Sequence, residues 1–164
     1  FGTGLNALVT LNEAMRSQTH VTFESIEKYP ITLEEIDALN FEALDTLEYA
    51  NYFKKLHATA WGHTRAITPF FKLHKRHEDL ILADLPSSFY DLIYYDAFGP
   101  GTQADLWTEQ IMTKLFDDLK SGGILVTYCA QGQFKRNLKA AGFKSKNLPG
   151  PAGKREITRA IKPC

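Results

Sequence analysis

Phe1-Gly2-Thr3-Gly4-Leu5-Asn6, running straight into an amphipathic helix, decides the reading of this 164-residue chain. A Gly-x-Gly turn at a strand-to-helix junction lets the backbone pass close to a ligand and aims helix N–H groups at it. The turn therefore implies a nucleotide-like cofactor. Such turns follow a buried apolar strand, and none precedes this one in the sequence. The expectation is an N-terminally incomplete domain whose first strand is absent.

Outward from the turn, strand and helix patterns alternate. Leu5, Leu8, Val9 and Met15 mark a helical stripe, and Val21 to Ile26 reads as a strand ending at Glu27. Thr32 and Glu35 form a capping-box pattern, and Phe41 to Leu56 is helical with Leu44, Leu47 and Phe53 on one side. Residues 60–70 read as an irregular surface loop, and Phe71 to Leu82 as a strand. Tyr90 to Tyr95 has the apolar character of a central parallel strand. A helix from Ile111 to Leu119, stopped by Gly122-Gly123, leads to a strand from Ile124 to Cys129. After a helix from Gln133 to Ala141, two strands flank the turn from Pro149 to Gly153. The pattern predicts a doubly wound, mostly parallel α/β sheet, Rossmann-like, in a single domain over residues 1–164. The closing antiparallel hairpin is similar to the class I S-adenosylmethionine-dependent methyltransferase fold.

Composition is that of a globular protein, with 44% hydrophobic and 23% charged residues and a formal net charge of zero. No apolar run approaches a membrane span, and Cys129 and Cys164 lack disulfide-framework or zinc spacing. A reducing cytoplasm is the expected compartment, with no metal. The charge is polarised. Nine basic residues stand against Glu156 alone from Gln131 to the end, whereas eight acids stand against three lysines from His20 to Leu56. The basic end suits either a polyanion or plain solvation.

In a doubly wound sheet a ligand lies at the carboxyl ends of the strands. Glu27 falls about twenty residues after the glycines, where a carboxylate accepts hydrogen bonds from ribose hydroxyls. A dinucleotide fingerprint needs a third glycine, which Leu5-Asn6-Ala7-Leu8 does not offer. That favours the methyl donor over a nicotinamide. Asp79 and Asp84 compete as the third acid of the edge, Asp79 preferred because a strand from Phe71 to Glu78 would end there. Asp96 ends the strand Leu92 to Tyr95 and is placed to orient a substrate ammonium and take its proton, with Phe98 shaping the methyl pocket. Trp61 and Trp107 read as packing anchors that also suit a pocket rim, and Cys129 as a small core residue.

Four segments carry a closer resemblance: Phe1 to Asn6, Ser25-Ile26-Glu27-Lys28-Tyr29-Pro30, Tyr95 to Pro100 through Asp105-Leu106-Trp107-Thr108, and Gly153-Lys154-Arg155-Glu156. The chain resembles the methyltransferase family that completes the 5-methylaminomethyl-2-thiouridine modification at the tRNA wobble position. The resemblance implies methylation of the exocyclic amine of 5-aminomethyl-(2-thio)uridine, with S-adenosylmethionine as cofactor and tRNA as partner. It implies that Gly2, Gly4 and Asn6 line the methionine part of the cofactor, Glu27 the ribose and Asp79 the adenine side, with Lys28 also binding the cofactor. Asp96, with Phe98 beside it, would lie at the methyl and face the amine. Lys135, Arg136, Lys154 and Arg155 become the candidate RNA surface. Many members carry a flavin-dependent oxidase after this domain. The chain is then a standalone form dependent on a separate enzyme for its amine, or a fragment. The alternatives are a methyltransferase acting on a small amine or another RNA, a nicotinamide-dependent oxidoreductase, and a non-catalytic nucleotide-binding module.

Overall fold

The structure, a computed structural model, describes residues 1–39, 47–150, 153 and 156–164. They divide into two compact units, Phe1–Ala83 and Asp84–Cys164.

In the first unit the chain enters helix α1 (Leu5–Ser17) through Gly4, whose φ of 76° is a left-handed conformation that glycine adopts at no steric cost. A side chain there would stand 3.0 Å from the His57 ring and 3.3 Å from the Phe1 ring. Helix α1 buries Ala7, Leu8, Leu11 and Ala14, while Leu5 and Val9 are 50% and 58% exposed. The apolar stripe is therefore not the one set by the largest side chains, because the two alanines bring the helix close to its neighbours. Strand β1 (Val21–Glu27) has the expected bounds. Helix α2 (Leu33–Ala38) starts at Thr32 with the complete capping box. Helix α3 (Leu47–Ala58) contributes Phe53 and Leu56 to the core; the earlier part of its expected span, with Leu44, lies outside the described residues.

Strand β3 (Phe71–His77) pairs in parallel with β1, with Glu27 opposite His77. Along its other edge runs β2 (Thr64–Thr68), antiparallel, in the segment expected to be a loop. That strand is short, its first three residues are exposed, and the Pro69-Phe70 turn folds it onto β3. Phe71 and Leu73 close the core with Ile67, Phe53, Leu56 and the α1 residues.

The second unit holds a four-stranded sheet in the order β4 (Tyr90–Tyr94), β5 (Leu119–Thr127), β7 (Glu156–Ile161), β6 (Lys144–Pro149). Strand β4 is parallel to β5; β5–β7 and β7–β6 are antiparallel. The closing hairpin is as expected. The parallel content is lower than expected, since each unit carries a mixed sheet. Strand β4 is an edge strand of its sheet rather than a central one, and Leu92 and Tyr94 are partly exposed. Helix α4 (Glu109–Asp118) is capped by the Thr108 hydroxyl and stops at Asp118, earlier than the glycines. Leu119 is already extended and buried, and β5 runs through Gly122-Gly123 as a bulge between the pairs Tyr90–Leu119 and Leu92–Ile124. Gly122 takes φ 77° there. Helix α5 (Gly132–Ala140) buries Phe134 and Leu138. Cys129 is buried, as expected of a small core residue. No helix among the described residues is long and apolar enough to cross a membrane.

Asp118 is 4% exposed, and its Oδ2 has no hydrogen-bond partner among the described residues. Burial pushes its carboxyl up from the ordinary value, opposed by Lys114 and Lys162 and reinforced by Asp117 and Asp84. A raised folded value means that folding is penalised once the pH passes the unfolded carboxylate value of about 3.9. Asp118→Asn removes that penalty and is expected to stabilise the protein by about 1 kcal/mol at neutral pH. Urea unfolding at falling pH should show the gain shrinking towards pH of about 4.

Candidate functional site

At the carboxyl end of β1 the Glu27 carboxylate gathers main-chain nitrogens. Oε2 accepts from Phe1 and Gly2, both at 3.1 Å, and Oε1 accepts from Tyr29 at 2.8 Å. Burial works against its ionisation, while the Tyr29 and Gly2 amides work for it. The carboxyl is held below its usual range. Glu27 thereby fixes the glycine turn against the strand end. Gly2 has φ 52°, and a side chain there would meet open space.

The neighbouring strand end is stitched to the same place. The Glu78 amide donates to the Glu27 carbonyl at 3.1 Å, and His77 Nε2 stands 3.2 Å from the Lys28 carbonyl. Asp79 Oδ2 pairs with Lys28 Nζ at 2.7 Å, and Oδ1 accepts from the Ile81 amide at 3.0 Å. The Lys28 hydrogen bond, then the Ile81 amide, lower its carboxyl below the ordinary value. The structure thus brings Gly2, Glu27, Lys28 and Asp79 to one end of the first unit. Asp84 opens the second unit, within electrostatic reach of Asp118. Asn6 lies in the exposed first turn of α1.

Beneath the turn is a cavity of about 120 Å³, lined by Phe1, Gly2, Glu27, His57, Trp61 and Lys75 among others. Sequence reasoning passed over Lys75 and His57. The signal was present: in Phe71-Lys72-Leu73-His74-Lys75 the strand period places Lys75 on the face of Phe71 and Leu73. Trp61 rims the cavity, whereas Trp107 is a buried anchor.

In the second unit Asp96 is exposed just past β4, on a segment pinned from several sides. Tyr128 donates its hydroxyl to the Ala97 carbonyl at 2.7 Å, and the Trp107 indole donates to the Phe98 carbonyl at 2.7 Å. The Phe98 amide donates to Gln103 Oε1 at 3.1 Å, and the Tyr95 hydroxyl donates to the Leu106 carbonyl. Asn137 on α5 holds the Trp107 carbonyl at 2.7 Å. Phe98 is fixed at its main chain while its ring is 71% exposed. Burial and then the Asp96 charge push the Tyr128 hydroxyl up, keeping it a neutral donor. Asp96 itself has interactions with its surroundings.

Arg136 on α5 is exposed and donates to Gln133; Lys135 beside it is half-buried. Lys154 and Arg155 lie outside the described residues.

A strand-end carboxylate beside an open glycine turn suits an adenosyl cofactor, and the family model for S-adenosyl-L-methionine-dependent methyltransferases matches residues 49–163. The chain belongs to that family. Its cofactor is S-adenosylmethionine and its chemistry methyl transfer, which displaces the nicotinamide alternative. Among curated relatives, a tRNA 5-methylaminomethyl-2-thiouridine biosynthesis bifunctional protein MnmC from Cupriavidus metallidurans is 31% identical over 172 residues. The match covers 98% of this chain and 25% of that protein. The protein of the same name from Leptospira interrogans is 29% identical, covering 96% of this chain and 25% of its own length. The chain thus spans about a quarter of the length of these relatives. Among solved structures, MNMC2 from Aquifex aeolicus aligns with a TM-score of 0.73 at 20% identity, covering 98% of this chain and 50% of that one. A methyltransferase from Pyrococcus furiosus aligns with a TM-score of 0.56 at 16% identity, covering 96% and 70%. These likenesses show the class I methyltransferase fold.

The lowered Glu27 value carries a pH signature. Its stabilising contribution is present above the unfolded carboxylate value of about 4.3 and is lost as pH falls through the lower folded value. Glu27→Gln should lack that acid limb, read by chemical unfolding of both proteins between pH of about 3 and 6.

Proposed function

We propose that this methyltransferase acts on the primary amine of 5-aminomethyl-(2-thio)uridine at the tRNA wobble position, both units serving one methyltransferase domain. The observation that carries the reading is the match along 98% of the chain to a relative named for that modification. The pinned Asp96 segment supports it from the geometry, because it offers a carboxylate and an exposed aromatic ring on a rigid loop. In this reading Gly2, Gly4 and Asn6 lie along the methionine part of the cofactor, Glu27 accepts from the ribose, and Lys28 and Asp79 border the adenine.

S-adenosylmethionine, when bound, supplies a methyl carbon on a positively charged sulfur. The acceptor nitrogen must present a free lone pair in line with the methyl–sulfur bond. Asp96 accepts a hydrogen bond from the amine and aims that lone pair. Asp96 would take the proton that the nitrogen sheds on methylation. Phe98 walls off water beside the transferred carbon. The free amine has to come from a reaction acting before this one on the same nucleoside.

The direct test incubates the protein with labelled S-adenosylmethionine and tRNA from cells lacking the modification, then identifies the nucleoside. Label in 5-methylaminomethyl-2-thiouridine is expected; label only in a free small amine or another nucleoside overturns the reading. Asp96→Ala is expected to lower kcat by about 10²–10³-fold while still binding S-adenosylmethionine in a calorimeter. Unchanged turnover would remove Asp96 from the mechanism.

Affinity for tRNA is expected to rest on phosphate contacts from Lys135, Arg136, Lys154 and Arg155. Binding should then fall linearly on a log–log plot against salt, and Arg136→Ala should lower the slope by about one. Filter binding across a salt series reads both quantities.

A further inference from the structure

Among the described residues, Lys75 is a buried cation with no carboxylate partner. Its residue is 1% exposed, and its Nζ donates to the carbonyls of His57 at 2.8 Å and Leu56 at 3.1 Å. Those carbonyls belong to the last turn of α3, where helix carbonyls lack internal partners and a positive charge is favoured. The same ammonium stands 4.8 Å from the Trp61 ring centre and 5.1 Å from that of Phe1, within cation–π range. His57 in turn meets the Thr3 carbonyl through Nε2 at 3.1 Å and packs edge-on to Phe1 at 5.2 Å. Both routes from Lys75 end at the glycine turn.

We propose that Lys75 is a positioning residue for the turn, its charge holding Phe1 and His57 in the arrangement that receives S-adenosylmethionine. The inference rests on the reading that this turn is the cofactor site. The titratable and charged groups around Lys75 are His57 from α3, Glu27 from β1 across the cavity, the Phe1 nitrogen, and His77 beyond Trp61. Burial brings Lys75 down to about 8. Burial likewise lowers His57, away from the alkaline range in which Lys75 loses its proton. Its neutral amine keeps hydrogen bonds to α3 but loses the attraction to both aromatic rings and to the helix end.

The test is calorimetry of S-adenosylmethionine binding to the full chain at about pH 7 and 9 in wild type, Lys75→Met and Lys75→Arg. Wild type should weaken by up to about tenfold over this interval, the limit for loss of one proton through a value near 8. Lys75→Met should already bind about five- to tenfold more weakly at neutral pH and lack the part of the alkaline weakening that Lys75 causes. Lys75→Arg, whose guanidinium does not titrate here, should bind more tightly than Lys75→Met and share its flatter profile. The amino group of the cofactor titrates alike against all three proteins, so their difference belongs to Lys75. A purely structural lysine would shift stability without flattening the profile. Equal affinity of Lys75→Met and wild type at both pH values overturns the inference, as does wild-type alkaline weakening in Lys75→Arg. If Lys75→Met fails to fold, the arginine arm decides alone. Gly2→Val separates the two layers. Undiminished binding there fells the cofactor reading of the turn itself. Lost binding there, with Lys75 variants indistinguishable from wild type, fells only the role of Lys75.

Discussion

The arrangement at the end of β1 depends on one carboxylate meeting three main-chain nitrogens. These nitrogens lie outside the helices, and hydrogen bonds to an ionised carboxylate are about twice as strong as neutral ones. Glu27 satisfies Phe1, Gly2 and Tyr29 at once, binding the turn on one side and the chain leaving the strand on the other. Because β1 is in parallel register with β3, whatever fixes the end of β1 also fixes the position from which Asp79 departs. The Asp79–Lys28 pair adds little energy by itself, since its lysine is half exposed. Its effect is geometric, holding the two strand exits in one orientation.

Helix ends are managed by the same device in both units. Lys75 donates to the last carbonyls of α3, and Lys162 donates to the Phe116 and Leu119 carbonyls at the end of α4, each 2.8 Å away. Each ammonium also stands over an aromatic ring, Trp61 for one and Phe116 for the other. The difference lies in surroundings. Lys162 has Asp118 nearby, whereas Lys75 has no paired acid among the described residues and lines a cavity, where burial lowers its value. In the second unit the corresponding rigidity comes from neutral donors. Trp107, Tyr128 and Asn137 grip main-chain carbonyls, and the Trp107 ring packs edge-on against Tyr95, Tyr128 and Phe134. A loop so held can present an exposed phenylalanine without the loop itself being loose.

Much of this was legible in the sequence because its signals are local. The Gly-x-Gly turn and the Thr32 capping box each rest on a few adjacent residues, and each appears where it was expected. Elements that depend on a distant partner were not legible. Strand β2 exists because β3 offers its free edge, and nothing in Thr64–Thr68 beyond Ile67 signals a buried face. The start of β5 at Leu119 depends on Tyr90, and the glycines that normally end a helix serve there as a bulge. Among site residues, acids at strand ends could be placed by spacing alone. Spacing places Lys75 on a buried face too, but what it does there becomes intelligible only when the aromatic rings and helix carbonyls around it are known.

Glu27 carries two duties that draw on the same lone pairs. A carboxylate offers about four acceptor positions, and three are already taken by main-chain nitrogens, two on Oε2 and one on Oε1. A ribose presents two neighbouring hydroxyls. In the role proposed for Glu27, one hydroxyl takes the remaining position, and the other must share or displace a nitrogen. Oε2 is where displacement costs least, because Phe1 and Gly2 both bond to it and the turn remains tied by whichever stays. Glu27 is therefore not a vacant receptor, and the ribose replaces part of an existing network. Cofactor affinity at this end is then a difference between turn order given up and ribose bonds gained. Any residue that steadies the turn by another route, as Lys75 does through Phe1 and His57, leaves Glu27 freer to change partners.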